Sequence, residues 1–298
     1  MPTAGVAWFI GLTTLDVVHR ASAPPSANEK VTASRQDVAA GGPAANAAVV
    51  ARALGIGAHL ISALGGSPMA AAARADLEAA GVQVVDIAPE HELAVSAILV
   101  DEGTGARSVT STDGGAADPA PPDFSGSPDP AVVLIDGHYP RLAVAAARAA
   151  RERGALVVLD AGRWRPVFAE LIGLADLVAA SADFALPDGG RGPGALVAAG
   201  AGAGVVTAGS GPVRYATGTE HGEIAVPAVP VADTLAAGDA FHGGLVAGLV
   251  TRRLRAPGPG ASLPAAPLRR ALDYAVAVAS HRVQHVGPRS YLETLPRR

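Results

Sequence analysis

Short unbroken apolar runs set the strongest limit on what this chain can become: GVAWFIG (5–11), AHLISAL (58–64), VQVVDI (82–87), AVVLIDG (131–137), ALVVLDA (155–161), DLVAAS (176–181) and GVVTAG (204–209). A strand with one wet face alternates apolar and polar residues. A strand that stays apolar throughout needs cover on both faces, as in a mainly parallel sheet between helices. Alanine-rich stretches at 43–54, 68–80, 140–153, 165–173 and 192–200, each apolar on one side, supply that cover. The predicted fold class is therefore α/β, built from repeated βα units.

Two segments depart from this rhythm. Residues 12–40 and 93–113 read as alternating strands with polar turns, the second a hairpin around Glu102–Gly105. They predict a small sheet inserted between early βα units, placed as a lid over one side of the main sheet. Proline and glycine cluster at 114–130 and 256–267, which read as surface loops too short to separate domains. At 298 residues, one large domain with an appendage and two domains are both open.

Apolar residues make up 49% of the chain and charged residues 17%, enough for a sizeable core. The formal charge of −4 gives no basic footprint for nucleic acid. Cysteine is absent, which removes disulfides, thiolate ligands and a cysteine nucleophile. The first residues lack the basic stretch of a signal peptide, and no apolar run reaches the length of a membrane span, so a cytoplasmic protein without nucleic acid or membrane partners is expected. The single lysine, Lys30, lacks the glycine pattern of a P-loop. The glycines at 200, 202 and 204 precede a strand, the wrong context for a dinucleotide fingerprint, and no histidine spacing suits zinc.

Two glycine-bearing segments carry the chemistry. In AAGGPAANAAVVARALG (39–55), Gly41 and Gly42 let backbone approach a ligand, and Asn46 offers a donor and an acceptor to a hydroxyl. A plain turn followed by an exposed asparagine explains the same residues. In VADTLAAGDAFHGG (231–244), Ala236-Ala237-Gly238-Asp239 starts a helix running through 250, whose first amides form an anion site. Asp239 stands where a phosphoryl group would gather charge, a position that suits a proton acceptor for an attacking hydroxyl. The alternative makes Asp239 a first-turn acid and Asp233 or Thr234 an N-cap.

Together the two segments resemble the paired signatures of ribokinase-like (PfkB-type) carbohydrate kinases. The resemblance covers nearly the whole chain, with Gly11 to Asp16, the mid-chain strands and the VGPRS tail (286–290) in the family's order. It implies a single three-layer α/β/α domain over 1–298 with a β-sheet lid that also forms a dimer contact. It also implies transfer of the γ-phosphoryl of ATP, with Mg2+, to a hydroxymethyl group of a sugar or nucleoside. By resemblance, Asp239 is the catalytic base, with Ala236, Ala237 and Gly238 as the anion hole. Asp16, Gly41, Gly42 and Asn46 match sugar-binding positions, and Thr207, Gly209, His242 and Gly287 match nucleotide positions.

Departures from the family pattern bear on function. Ala236 stands where many members have glycine, and Pro212 removes a backbone donor from the nucleotide turn. The N-x-x-E that organises magnesium is here Ser181-Ala182-Asp183-Phe184, leaving Asp183 as the candidate metal ligand. This segment, with IDGHYP (135–140) and LDAGRWRP (159–166), resembles the ketohexokinase and sulfofructose kinase side of the family. Asp136 and His138 then lie near the sugar, and Arg163 or Arg165 meets an anionic substituent or a nucleotide phosphate. Asp160 and Trp164 are equally explained as turn former and packing. The leading expectation is a kinase acting on a ketose or ketose derivative. A nucleoside kinase is the rival, disfavoured because 12–40 and 93–113 contain no Phe, Tyr or Trp. A non-catalytic sugar- or nucleotide-binding homologue is a further alternative.

Overall fold

The computed structural model describes residues 4–115, 117–257 and 262–296. In chain order its elements are β1 (Val6–Ile10), β2 (Thr14–Ala21), β3 (Arg35–Gly41), α1 (Pro43–Ala53), β4 (Gly57–Ser62), α2 (Pro68–Ala79), β5 (Gln83–Asp86), β6 (Val95–Asp101), β7 (Arg107–Thr110), β8 (Val132–Ile135), α3 (Pro140–Glu152), β9 (Leu156–Ala161), α4 (Phe168–Leu171), β10 (Leu177–Ser181), α5 (Pro193–Ala198), β11 (Ala203–Ala208), β12 (Gly211–Thr217), β13 (His221–Ile224), α6 (Ala237–Thr251) and α7 (Ala265–Arg282).

The apolar runs pair as their composition requires. A nine-stranded sheet has the order β13-β12-β11-β10-β9-β8-β1-β4-β5, parallel from β11 through β5, with β12 and β13 added antiparallel at one edge. Within β1, Phe9 joins the cluster formed with α1, α6 and α7, while Trp8 and Ile10 join the cluster under α3 and α4. Adjacent residues thus enter opposite cores, which is why no polar residue interrupts the strand.

The departing segments form a separate four-stranded sheet of order β3-β2-β6-β7, with the expected hairpin between β6 and β7. Its inner face packs Val18, Ile98 and Val100 against Leu235, which stands just before α6. Among the described residues no helix is long and apolar enough to cross a membrane.

Four elements differ from the sequence reading. The region 165–173 supplies only a short α4, followed by a 3-10 turn at Ile172–Leu174. The β12–β13 edge was not expected, and neither was α7. Ala271, Leu272, Ala275 and Val278 of α7 are buried, and Val278 and Ala275 sit so near Gly244 of α6 that a Cβ there would lie 2.9 Å and 3.1 Å from them. Helices at that separation need small residues, so a stripe of alanine replaces the long apolar side chains that mark a helix face.

Candidate active site

The start of α6 is built around a left-handed alanine. Ala236 has φ 57° and ψ 22°, a conformation that places the next amides at the mouth of the helix. Of these, Ala237 donates to Thr234 O over 3.3 Å, whereas the amides of Gly238 and Asp239 have no acceptor among the described residues. Of the residues expected to form an anion hole, Gly238 and Asp239 thus keep open amide donors. A Cβ at Gly238 would meet nothing within 4 Å, so the glycine leaves space that no protein atom fills.

Asp239, in the first turn of α6, accepts a hydrogen bond from Asn46 Nδ2 at 2.8 Å. The contact joins the two glycine-bearing segments across the molecule. Burial, followed by the negative charge of Asp160, pushes the Asp239 carboxyl up to about 7, against the opposing pull of Asn46 and His242. That is the range a general base needs near neutral pH. His242 was expected beside the nucleotide. It is buried, with Nδ1 3.1 Å from Asp160 Oδ2. Burial lowers its basicity, but the charge of Asp160 outweighs that and raises it.

Gly41 and Gly42 are explained by close approach. A Cβ at Gly41 would fall 2.1 Å from Asp16 Oδ2, and one at Gly42, whose φ is +94°, would fall 2.3 Å from Leu12 O. Asp16, on β2 of the lid sheet, accepts from Thr14 Oγ1 at 2.6 Å, and burial raises its pKa. The negative charge of Asp16 adds a smaller upward push to the pKa of Asp239.

Arg289, in the VGPRS tail, was not singled out from sequence. Its guanidinium donates to Asp76 Oδ2 at 2.7 Å and Ala40 O at 2.8 Å, and approaches Asn46 Oδ1 at 3.4 Å. It fixes the end of β3 beside the first turns of α1. The only signal in the sequence was its place in the tail.

Asp233 answers why a second aspartate precedes the helix. Its Oδ2 accepts from Arg20 of β2, from Arg282 of α7 at 3.2 Å and from the Gly287 amide at 3.2 Å, while Oδ1 accepts from the Leu235 amide at 2.9 Å. Both arginines are buried. Asp233 is thus a structural junction joining lid, α7 and the approach to α6. Gly287, expected at the nucleotide, spends its amide on this junction.

Asp136 closes β8. Its carboxylate accepts from the amides of Leu12 (2.9 Å), Ala44 (3.2 Å) and His138 (2.9 Å), and from His138 Nδ1 (2.9 Å). Burial opposes its charge, but His138 and these amides hold its pKa below the usual range. These donors make it a clamp binding the ends of β1 and β8 to α1. His138 Nε2 lies 2.6 Å from Arg165 Nη2 and 3.3 Å from Asp113 Oδ1. The neutral ring accepts from the arginine; the protonated ring donates to the carboxylate.

Thr207 ends β11 half-buried, and Gly209 turns the chain with φ +59° into open space. Asp183 is exposed beyond β10. Among the described residues no three His, Asp or Glu side chains converge on a possible cation position. Mg2+ is usually held by one or two carboxylates together with waters and nucleotide phosphates, a part that the exposed Asp183 carboxylate could take when a nucleotide is bound.

An open amide pair beside a raised-pKa aspartate is a geometry for moving an anionic group to a hydroxyl. A family model for pfkB family carbohydrate kinases matches residues 7–295. The chain belongs to that family. The chain is 34% identical over 157 residues to an ATP-dependent ribose-1-phosphate kinase of Halopiger xanaduensis, a match covering 51% of this chain and 53% of that protein. It thus spans about half the length of that relative. Ribokinase from Giardia lamblia superposes with a TM-score of 0.79 at 17% identity, covering 99% of this chain and 97% of that one. Ribokinase from Arabidopsis thaliana, complexed with ribose and ATP, superposes with a TM-score of 0.71 at 19% identity, covering 100% and 96%. These structural likenesses establish the ribokinase-like fold.

Proposed function

We propose that this pfkB family member is an ATP-dependent kinase acting on a hydroxymethyl group of a small sugar. The observation that carries the reading is Asp239, bonded to Asn46 and raised to about 7, at a helix start whose Gly238 and Asp239 amides are open. The acceptor lies between Asp16, Gly41, Gly42 and Asn46. As its oxygen attacks the γ-phosphorus, the proton passes to Asp239, the new O–P bond forms, and the bond to the ADP oxygen breaks. The open amides stabilise charge on the phosphoryl oxygens. Mg2+ enters with the nucleotide phosphates, and no step is assigned to a protein-held metal. The nucleotide lies toward Thr207 and Gly209.

The relatives described above carry ribose and ribose 1-phosphate in their names, so they do not single out a ketose. The acceptor proposed is a small sugar, aldose and ketose alike. A nucleoside acceptor is disfavoured because the lid segments hold no aromatic platform. We further propose that the chain acts as one catalytic unit and that two chains pair through the outer face of the lid, where Val17, Val38 and Ala97 stand side by side and Val38 is 50% exposed.

The deciding experiment follows ADP release from MgATP with purified wild-type and Asp239→Asn protein across pentoses, hexoses and nucleosides. Turnover on a sugar is expected. The variant should lose about 10²–10⁴-fold in kcat while still binding ATP. Turnover unchanged by the substitution removes Asp239 as the base.

A further inference from the structure

Asp113 is the meeting point of groups from three parts of the chain. Its Oδ2 accepts from Arg163 Nη2 at 3.0 Å and Arg165 Nη2 at 2.9 Å, and its Oδ1 lies 3.3 Å from His138 Nε2. The arginines follow β9 and the histidine follows β8, whereas Asp113 lies just past β7, where the chain leaves the lid sheet. A cavity of about 320 Å³ opens beside the cluster, lined by Asp113, Gly114, Gly115, His138, Tyr139 and Arg165 among others.

Two features separate this cluster from an ordinary surface ion pair. Two guanidiniums converge on one carboxylate oxygen, leaving cationic donors in excess of the acceptor that holds them. The acceptor is also open to solvent: the Asp113 side chain is 40% exposed. Through Asp136 the cluster is linked to the segments that hold the proposed acceptor residues. His138 rests on Asp136, and the Asp136 carboxylate also holds Leu12 and Ala44, which flank Asp16, Gly41 and Gly42 in the chain. Thr207 and Gly209 lie beyond β10, on the far side of β9.

We propose that Arg163, Arg165 and His138 form a subsite for a phosphate-class anion carried by the sugar acceptor, and that Asp113 occupies it as an internal stand-in until the substrate displaces it. This deepens the kinase reading and rests on it. A phosphate monoester brings more charge and more acceptor oxygens than a carboxylate, and planar guanidiniums engage it in pairs. A neutral sugar has nothing with which to displace Asp113. The subsite therefore selects phosphorylated over plain sugars.

The test compares pentose and ketohexose monophosphates, including ribose 1-phosphate, with their unphosphorylated sugars, both in turnover and by calorimetric binding without ATP. Wild type is expected to prefer at least one monophosphate. In the Arg163→Ala/Arg165→Ala variant the ratio of kcat/KM for that monophosphate to kcat/KM for its plain sugar should fall about thirtyfold or more. Asp113→Ala should instead tighten monophosphate binding by about threefold or more, an opposite sign that loss of folding cannot produce. No preference for any monophosphate, an equal loss on both acceptors, or a loss confined to the KM for ATP overturns the proposal. The last outcome assigns the arginines to the nucleotide. Arginine-dependent binding without phosphoryl transfer upholds the subsite and overturns the kinase reading.

Discussion

Asp239 is held under opposing influences, and both can be read experimentally. Burial and Asp160 raise its pKa to about 7, while the Asn46 hydrogen bond lowers it. The base must be ionised, so kcat/KM should rise with pH and level off above about 7. Asn46→Ala removes a bond that favours the charged form, so the same limb should move to higher pH, along with a loss of about tenfold in activity measured as ADP release. The sign for stability is the reverse. A carboxyl whose folded pKa lies above its unfolded value of 3.8 takes up a proton on folding, so its contribution is present at low pH and is lost as pH rises through about 7. Asp239→Asn should therefore melt higher than wild type at pH 8, by roughly a few kcal/mol in stability, and this difference should vanish near pH 4. A thermal melt at the two pH values checks it, and distinguishes lost chemistry from lost fold.

The contact between Asp239 and Asn46 depends on how closely α6 lies against α1. A Cβ on Gly243 would fall 2.6 Å from Val50 Cβ and 2.7 Å from Ala47 O, leaving no room for even a methyl group. Gly243→Ala should cost about 1–3 kcal/mol in urea denaturation and, by pushing the helices apart, should lower kcat through the Asn46 contact. The paired glycines after Asp239 thus serve packing, while Gly238, in the first turn of the same helix, faces unfilled space. Lid and helix are joined just as directly. Arg20 reaches Asp233, Arg107 Nη1 donates to Thr234 Oγ1 at 3.1 Å, and Leu235 packs beneath Val18, Ile98 and Val100. The three residues leading to the anion hole are therefore in contact with the sheet that carries Asp16.

At the scale of the whole molecule, the proposed pairing of two lids predicts a dimer by light scattering, and Val38→Asp on the outer face should shift it to monomer. The main sheet and the lid were legible as sequence because burial on one or both faces writes a period into consecutive residues: GVAWFIG is apolar throughout, while 93–113 alternates. Two glycine-bearing segments likewise announced Asp239 and Asn46. Their direct contact, across 193 positions, had no local trace. The same holds for the junction of Arg20, Asp233 and Arg282, for Asp136 as a clamp, and for Asp113 among its cations. A charged residue shows in sequence that it needs a partner, but which partner it finds depends on where the closed chain brings distant segments. Helix α7 was illegible for a related reason, since an alanine stripe signals close packing only when the facing glycines of α6 are known. The chain's own pattern thus determined the layers, the smaller sheet and the candidate carboxylate, Asp239. Tertiary structure alone decided the charge environment that tunes that carboxylate, because electrostatic neighbours are set by distance in space and not along the chain.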